Sequence, residues 1–153
     1  MKFSRYLFPI IFLASTFSII RTQAQILTPV HWSYAAKKIN KTTAVVFIKA
    51  SIEGNWHIYS TKQPDGGPVK TTFKFDQSSG YSLLGAVSEP KYITKYEKSF
   101  SMDVHYFESS VVFQQKIKLH SPSAVVKGTV NFMACNDQKC LPPDDVSFKI
   151  PIK

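Results

Sequence analysis

Thr43-Ala-Val-Val-Phe-Ile-Lys-Ala-Ser-Ile52, closed by Glu53-Gly-Asn55 and reopened by Trp56-His-Ile-Tyr59, decides the fold class. β-Branched and aromatic residues fit a pleated, half-buried surface, and Gly and Asn supply the turn between two such runs. Outward from this unit the same grammar repeats. Val30 to Tyr34, Thr71 to Phe75, Tyr81 to Val87, Val104 to Phe107, Val111 to Leu119, Val125 to Met133 and Val146 to Ile152 all read as short strands. Between them lie turn-rich stretches: Gln63-Pro-Asp-Gly-Gly-Pro68, Asp76 to Gly80, Glu89-Pro90 and Ser121-Pro-Ser123. In Val111 to Leu119 the alternation is imperfect. There is no internal repeat and no long amphipathic helix pattern. About nine closely spaced strands with turn signals between them predict an all-β sandwich, with a barrel as the alternative. Most of the aromatics, 14% of the chain, then belong to the core, Trp32 and Trp56 among them.

The first residues read differently. Lys2 and Arg5 make a basic start, Tyr6 to Ile20 is mostly apolar, and Thr22-Gln23-Ala24 places small residues where a signal peptidase reads them. This order predicts a signal peptide over residues 1–24, an exported mature domain over 25–153 and a periplasmic location. The apolar run, about 15 residues, is short of the roughly 20 that span a bilayer. The chain carries a formal net charge of +9, but both arginines, Arg5 and Arg21, lie in this segment. The mature domain is therefore basic through lysine alone. Bidentate contacts to phosphates and bases favour arginine, so the charge reads as a solvated lysine surface and nucleic acid is not an expected partner.

The two cysteines, Cys135 and Cys140, lie in Met133-Ala-Cys-Asn-Asp-Gln-Lys-Cys-Leu-Pro-Pro143. Asn136 and Asp137 favour a tight turn between them. The separation allows Cα atoms within the roughly 4.4–6.8 Å that a disulfide requires, and export is where disulfides persist. A structural staple over about six residues contributes only about 2 kcal/mol of loop entropy. A redox pair instead needs two sulfurs that stay close when reduced, so that one resolves the mixed disulfide formed by the other. Spacing alone leaves staple and redox pair level. Metal ligation is third, because two cysteines without a further Cys or His pair make a poor zinc site, and nothing in the spacing of His105 and His120 brings them in.

The run Ala134 to Pro143 resembles the active-site stretch of the N-terminal periplasmic domain of the thiol:disulfide interchange protein DsbD: a Cys, a few polar residues including Asp, a second Cys, then Pro-Pro. Gly54-Asn-Trp-His-Ile-Tyr59, Gly67-Pro-Val-Lys-Thr-Thr-Phe73 and Gly85-Ala-Val-Ser-Glu-Pro90 are similar to further segments of that family, the latter two in its Bacteroidetes-type members. Lys95-Tyr-Glu-Lys-Ser-Phe100 with Val104-His-Tyr106 resembles the segment that caps its cysteines. The similarity runs over nearly all of residues 27 to 152. Three departures accompany it. The best-known members have one more residue between the cysteines, Ser101 follows Phe100 where a Gly is usual, and the eight-helix electron-transporting segment and thioredoxin-like C-terminal domain of full-length DsbD do not follow in this sequence.

The resemblance implies an immunoglobulin-like β-sandwich with the dithiol at one end, acting as a protein-disulfide reductase or electron relay. Its partners would be thioredoxin-like periplasmic proteins and a membrane electron transporter supplied by another chain. No metal or organic cofactor is implied, because the cysteines carry the electrons. By the same resemblance Cys140 forms the mixed disulfide and Cys135 resolves it. His57 and Tyr59 align with the strand beside the cysteines, and their alternation lets one strand present both. Lys139 favours a thiolate at Cys140, and Asp137 opposes it or helps relay a proton. Tyr96 and Phe100 are the expected cap. Two rivals remain: an immunoglobulin-like binding module with an inert disulfide, and a copper-handling domain using Met102, Met133 and the cysteines.

Overall fold

A computed structural model of the chain describes residues 27–153; the expected signal peptide lies outside the described residues. Eleven strands follow one another: β1 (Val30–Asn40), β2 (Thr43–Ile52), β3 (His57–Tyr59), β4 (Thr72–Phe75), β5 (Tyr81–Ser88), β6 (Ile93–Glu97), β7 (Met102–Glu108), β8 (Ser110–Leu119), β9 (Ala124–Phe132), β10 (Ala134–Cys135) and β11 (Asp144–Ile152). They form three antiparallel sheets, ordered β1-β2-β8-β5, β10-β3-β7-β6 and β11-β9-β4. The second and third sheets pack against the inner face of the first. Trp32 on β1 meets Phe132 on β9 with ring centroids 5.2 Å apart, and Phe113 on β8 meets Phe73 on β4 at 5.0 Å and Phe107 on β7 at 5.8 Å. The architecture is a sandwich rather than a closed barrel.

The doubled apolar centre of β2 resolves by alternation: Ala44, Val46, Ile48, Ala50 and Ile52 are buried in the main core, while Val45 and Phe47 are only half-buried on the outer face. β8 aligns Val111, Phe113, Gln115, Ile117 and Leu119 inward, so its imperfect alternation is one residue, Gln115. That buried amide has partners. Its Nε2 faces the carbonyl oxygens of Leu84 at 3.4 Å, Gly85 at 3.2 Å and Lys116 at 2.7 Å. The β5–β8 pairing slips between Leu84 and Ser88, and Gly85 sits there at φ +72°. Such a bulge turns carbonyls away from the ladder, and the glutamine satisfies them. Gln115→Leu should lose about 2 kcal/mol in a urea melt, because the carbonyls stay buried without a donor. An unchanged midpoint would show that the amide is dispensable.

One strand runs well past the sequence expectation and two are additional to it. β1 continues to Asn40, held along its length by β2 through Lys38↔Ala44. β6 and the two-residue β10 are the edges of the second sheet. β9 and β10 are joined through Met133, where the chain passes from the third sheet to the second. That crossing carries Cys135 out of the main core. Ile58, Phe107 and Ala134 face inward, whereas Tyr59, Val104, Tyr106 and Cys135 form a separate small cluster on the opposite face, with Phe100, Met102 and Met133 packed against it.

Candidate functional site

Cys135 and Cys140 are bonded, and they face each other as an isolated antiparallel bridge. The Asn136 N–H donates to the Lys139 carbonyl and the Leu141 N–H donates to the Ala134 carbonyl. Those bonds flank the cysteines, so the pair occupies a non-hydrogen-bonded position of a tight hairpin, where opposed residues come closest. Their Cα atoms are 4.0 Å apart, a little closer than the usual disulfide span. The tip is closed by Asn136, whose Oδ1 accepts the backbone N–H groups of Gln138 and Lys139, both at 2.9 Å. An asparagine that folds back on its own backbone builds the turn without a glycine. Pro142 and Pro143 end the hairpin before β11, in a position that needs no ladder donor.

The two sulfurs have different surroundings. Cys135 is 2% exposed in the small cluster, whereas Cys140 is exposed. A cleft of about 430 Å³ opens beside them, lined by His57 and Tyr59 from β3, Lys95 to Phe100 from β6 and its following turn, and the hairpin from Cys135 to Cys140. Every residue singled out for the site in the sequence therefore borders one cavity. His57 lies directly opposite Cys135 in the β3–β10 pairing, and its Nε2 is 3.2 Å from the Tyr59 hydroxyl. Its ring also lies 4.9 Å from that of Tyr106. Burial disfavours the imidazolium and lowers the His57 pKa, with Lys95 acting in the same sense and Glu108, Asp137 and Glu97 opposing. Burial, aided by the Glu97 charge, pushes the Tyr59 hydroxyl up to about 12, so it remains a proton donor at neutral pH. Asp137 reaches Lys95 at 3.9 Å across the cleft mouth, an exposed pair of small energetic weight. Lys139 is exposed beside Cys140.

The two expected cap residues are placed differently. Phe100 packs on the cluster around Cys135, whereas Tyr96, on the edge strand β6, lines the cleft at 58% exposure. The turn that carries Phe100 is held by the Phe100 N–H donating to the Glu97 carbonyl and the Ser101 N–H donating to the Lys98 carbonyl. Ser101 takes φ +54°, the left-handed region a glycine would enter freely. The serine keeps the turn that a glycine usually makes, at a strain of roughly 1 kcal/mol. Met102 and Met133, scattered in sequence, both fill space against the cluster. Among the described residues no group of three or more His, Cys, Asp or Glu side chains is placed to hold a metal ion. In the sequence Val104 and Tyr106 of β7 stand out only as part of a cap-like segment, and Glu108 is not singled out. Their i, i+2 alternation is legible, but only the pairing of β7 with β3 shows which face they share with the cysteines.

Comparison with known proteins bears on this arrangement. The family model described as "Thiol:disulfide interchange protein DsbD, N-terminal" matches residues 23–151. A search of curated proteins found no match. Among solved structures, the Neisseria meningitidis DsbD N-terminal domain in the reduced form superposes with a TM-score of 0.53 at 18% identity, covering 82% of this chain and 89% of that one. The N-terminal periplasmic domain of ScsB from Proteus mirabilis gives a TM-score of 0.57 at 17% identity, over 76% of this chain and 43% of that one. The complex between the DsbD and PilB N-terminal domains of Neisseria meningitidis gives 0.53 at 15% identity, over 82% and 87%. At these identities the likeness is one of fold, and that fold is the immunoglobulin-like β-sandwich. The family match spans both cysteines and the whole of the cleft, and the chain belongs to the family of N-terminal domains of the thiol:disulfide interchange protein DsbD.

Proposed function

We propose that residues 25–153 form an exported, periplasmic thiol:disulfide interchange domain that relays two electrons through Cys135 and Cys140. The observation that carries this reading is the asymmetry of the pair. One sulfur is open to a partner and the other is 2% exposed directly beside it, at the edge of a cleft. Attack needs one sulfur in reach of the incoming disulfide and a second held back to resolve the mixed species. Cys140 takes the first role and Cys135 the second. Lys139 favours the Cys140 thiolate, Asp137 and Lys95 mark the rim, and Tyr59 stays a hydroxyl donor within the cleft. Phe100 covers the buried sulfur while Tyr96 offers an exposed ring to whatever docks. Family membership and the solved complex of a DsbD N-terminal domain with a PilB N-terminal domain support partners that are themselves redox domains of thioredoxin-like fold. The electrons would enter from a membrane electron transporter. Among the described residues no helix is long and apolar enough to cross a membrane.

The test is the reduction potential of the couple, measured by equilibration against a thiol buffer. A relay should lie above about −300 mV and exchange with thioredoxin-like proteins. A value well below that, with no exchange, would identify an inert bond in an immunoglobulin-like binding module and overturn the proposal.

A further inference from the structure

The sheet that carries Cys135 places three residues in one row. Cys135 on β10 is opposite His57 on β3, and His57 is in turn opposite Glu108 on β7. Directly opposed residues share a face, with Cβ atoms roughly 4.5–5.5 Å apart. A thiol, an imidazole and a carboxylate thus stand in line across three neighbouring strands, running from the buried sulfur to an exposed glutamate. We infer that this row is a proton relay, in which His57 takes the proton of the Cys135 thiol during resolution and Glu108 is a positioning residue that holds the imidazole and stabilises its charged form.

The step requires such a group. Cys135 sits among Tyr59, Val104, Tyr106, Phe100, Met102 and Met133, and at 2% exposure it has little access to water. Apolar burial favours the thiol over the thiolate that must attack. The other titratable groups around His57 are Tyr59 on its own strand, Tyr106 and Glu108 on β7, Lys95, Tyr96 and Glu97 on β6, Lys98 on the following turn, and Asp137 and Lys139 on the hairpin. The neutral phenols are not bases, and a carboxylate is by its chemistry a weaker base than an imidazole. An ammonium offers no lone pair, and Lys95 is itself paired with Asp137. His57 is the remaining acceptor. Its half-buried position favours the neutral ring, and with Nε2–H donating to the Tyr59 oxygen the Nδ1 lone pair is free to take a proton. The base and its orienting carboxylate follow the logic by which buried nucleophiles are activated elsewhere.

The inference rests on the relay reading above and specifies its second half. After the Cys140 sulfur has displaced one thiolate from a partner disulfide, Cys135 S–H transfers its proton to His57. The Cys135 thiolate then attacks the Cys140 sulfur and forms the intramolecular disulfide. The bond from Cys140 to the partner breaks, and the partner sulfur leaves with the electron pair as a thiolate. Two electrons have passed from the dithiol to the partner, and imidazolium returns its proton to solvent or to that thiolate. In the reverse direction imidazolium protonates Cys135 as it leaves.

Stopped-flow reaction of the reduced domain with 5,5′-dithiobis(2-nitrobenzoate) separates the two halves, because attack by Cys140 releases one chromophore and resolution by Cys135 releases the second. In the native domain the resolution rate should rise through the His57 ionisation, below the ordinary imidazole value of about 6.5, and then level off. His57→Phe should leave the first phase within a factor of about two and slow the second at least about tenfold at neutral pH. The levelling should disappear, so that the rate climbs to alkaline pH with the thiol itself. Added imidazole should restore the second phase in His57→Ala. Glu108→Gln, a change at an exposed position, keeps the test available if His57 variants do not fold. Removing the negative neighbour disfavours imidazolium, so the inflection should move to lower pH. His57→Phe or Glu108→Gln resolving with the native rate and pH profile would overturn the relay. A native domain that releases only one chromophore, or none, would instead overturn the redox reading itself.

Discussion

Cys135→Ala will hold a thioredoxin-like partner in a mixed disulfide through Cys140, and Cys140→Ala will trap none. The expectation follows from exposure and from the mechanics of exchange. A thiolate attacks along the axis of the disulfide it breaks, so the sulfur that meets a folded partner must present itself at the surface. Cys140 does so, on the descending arm of the hairpin; Cys135 lies 2% exposed in the small cluster against which Phe100 packs. With Cys135 gone, nothing resolves the adduct, and it should account for most of the protein on a non-reducing gel and by mass spectrometry. With Cys140 gone, the remaining thiol is buried and exchange should fall to background. The effect on folding should be small in both variants, since closing so short a loop contributes only about 2 kcal/mol. Trapping by Cys140→Ala alone would reverse the assigned order. Trapping by neither, in domains that still fold, would remove the case for exchange with partners.

How much of this was legible from sequence differs by level. The β2 run and its repeats gave the all-β reading because period-two burial leaves its mark wherever one face is core, as at Ala44, Val46, Ile48 and Ala50. β6 escaped because Ile93-Thr-Lys-Tyr-Glu97 is an edge strand exposed along almost its whole length, with no buried face to imprint an alternation. The far half of β1 escaped because Ala35 to Asn40 has weak strand preference of its own and is held by β2. At the site, the hairpin was readable in Asn136 and Asp137, and the alternation of His57 and Tyr59 placed both on one face. The row Cys135–His57–Glu108 was not readable, because it exists only in the register of three strands drawn from widely separated parts of the chain. The same holds for the division into two clusters. Phe107 and Tyr106 are neighbours of equal character in sequence, yet one faces the main core and the other the cysteine.

That division carries the second large effect. Phe113→Ala should lower stability by about 4 kcal/mol, and the melting temperature by roughly 10 °C or more, while leaving the Cys135–Cys140 potential within about 10 mV of its native value. Phe113 is fully buried at the meeting point of all three sheets, with Trp32, Phe73 and Phe107 at ring distances of 6.3, 5.0 and 5.8 Å. Truncation there removes aromatic contacts on three sides, and residues anchored in paired strands are poorly placed to collapse into the space. The cysteine is insulated from this loss, because Cys135 belongs to the separate cluster on the other face of β3 and β7. Phe100→Ala should show the opposite pattern. Phe100 is half-buried on a turn, so its loss should move the melting temperature little, yet it uncovers the sulfur and should speed reaction with a small thiol several-fold. A shift in potential of more than about 30 mV in Phe113→Ala would mean that about 1.4 kcal/mol crosses the sheet between the clusters. The sandwich would then tune its dithiol, rather than only carry it.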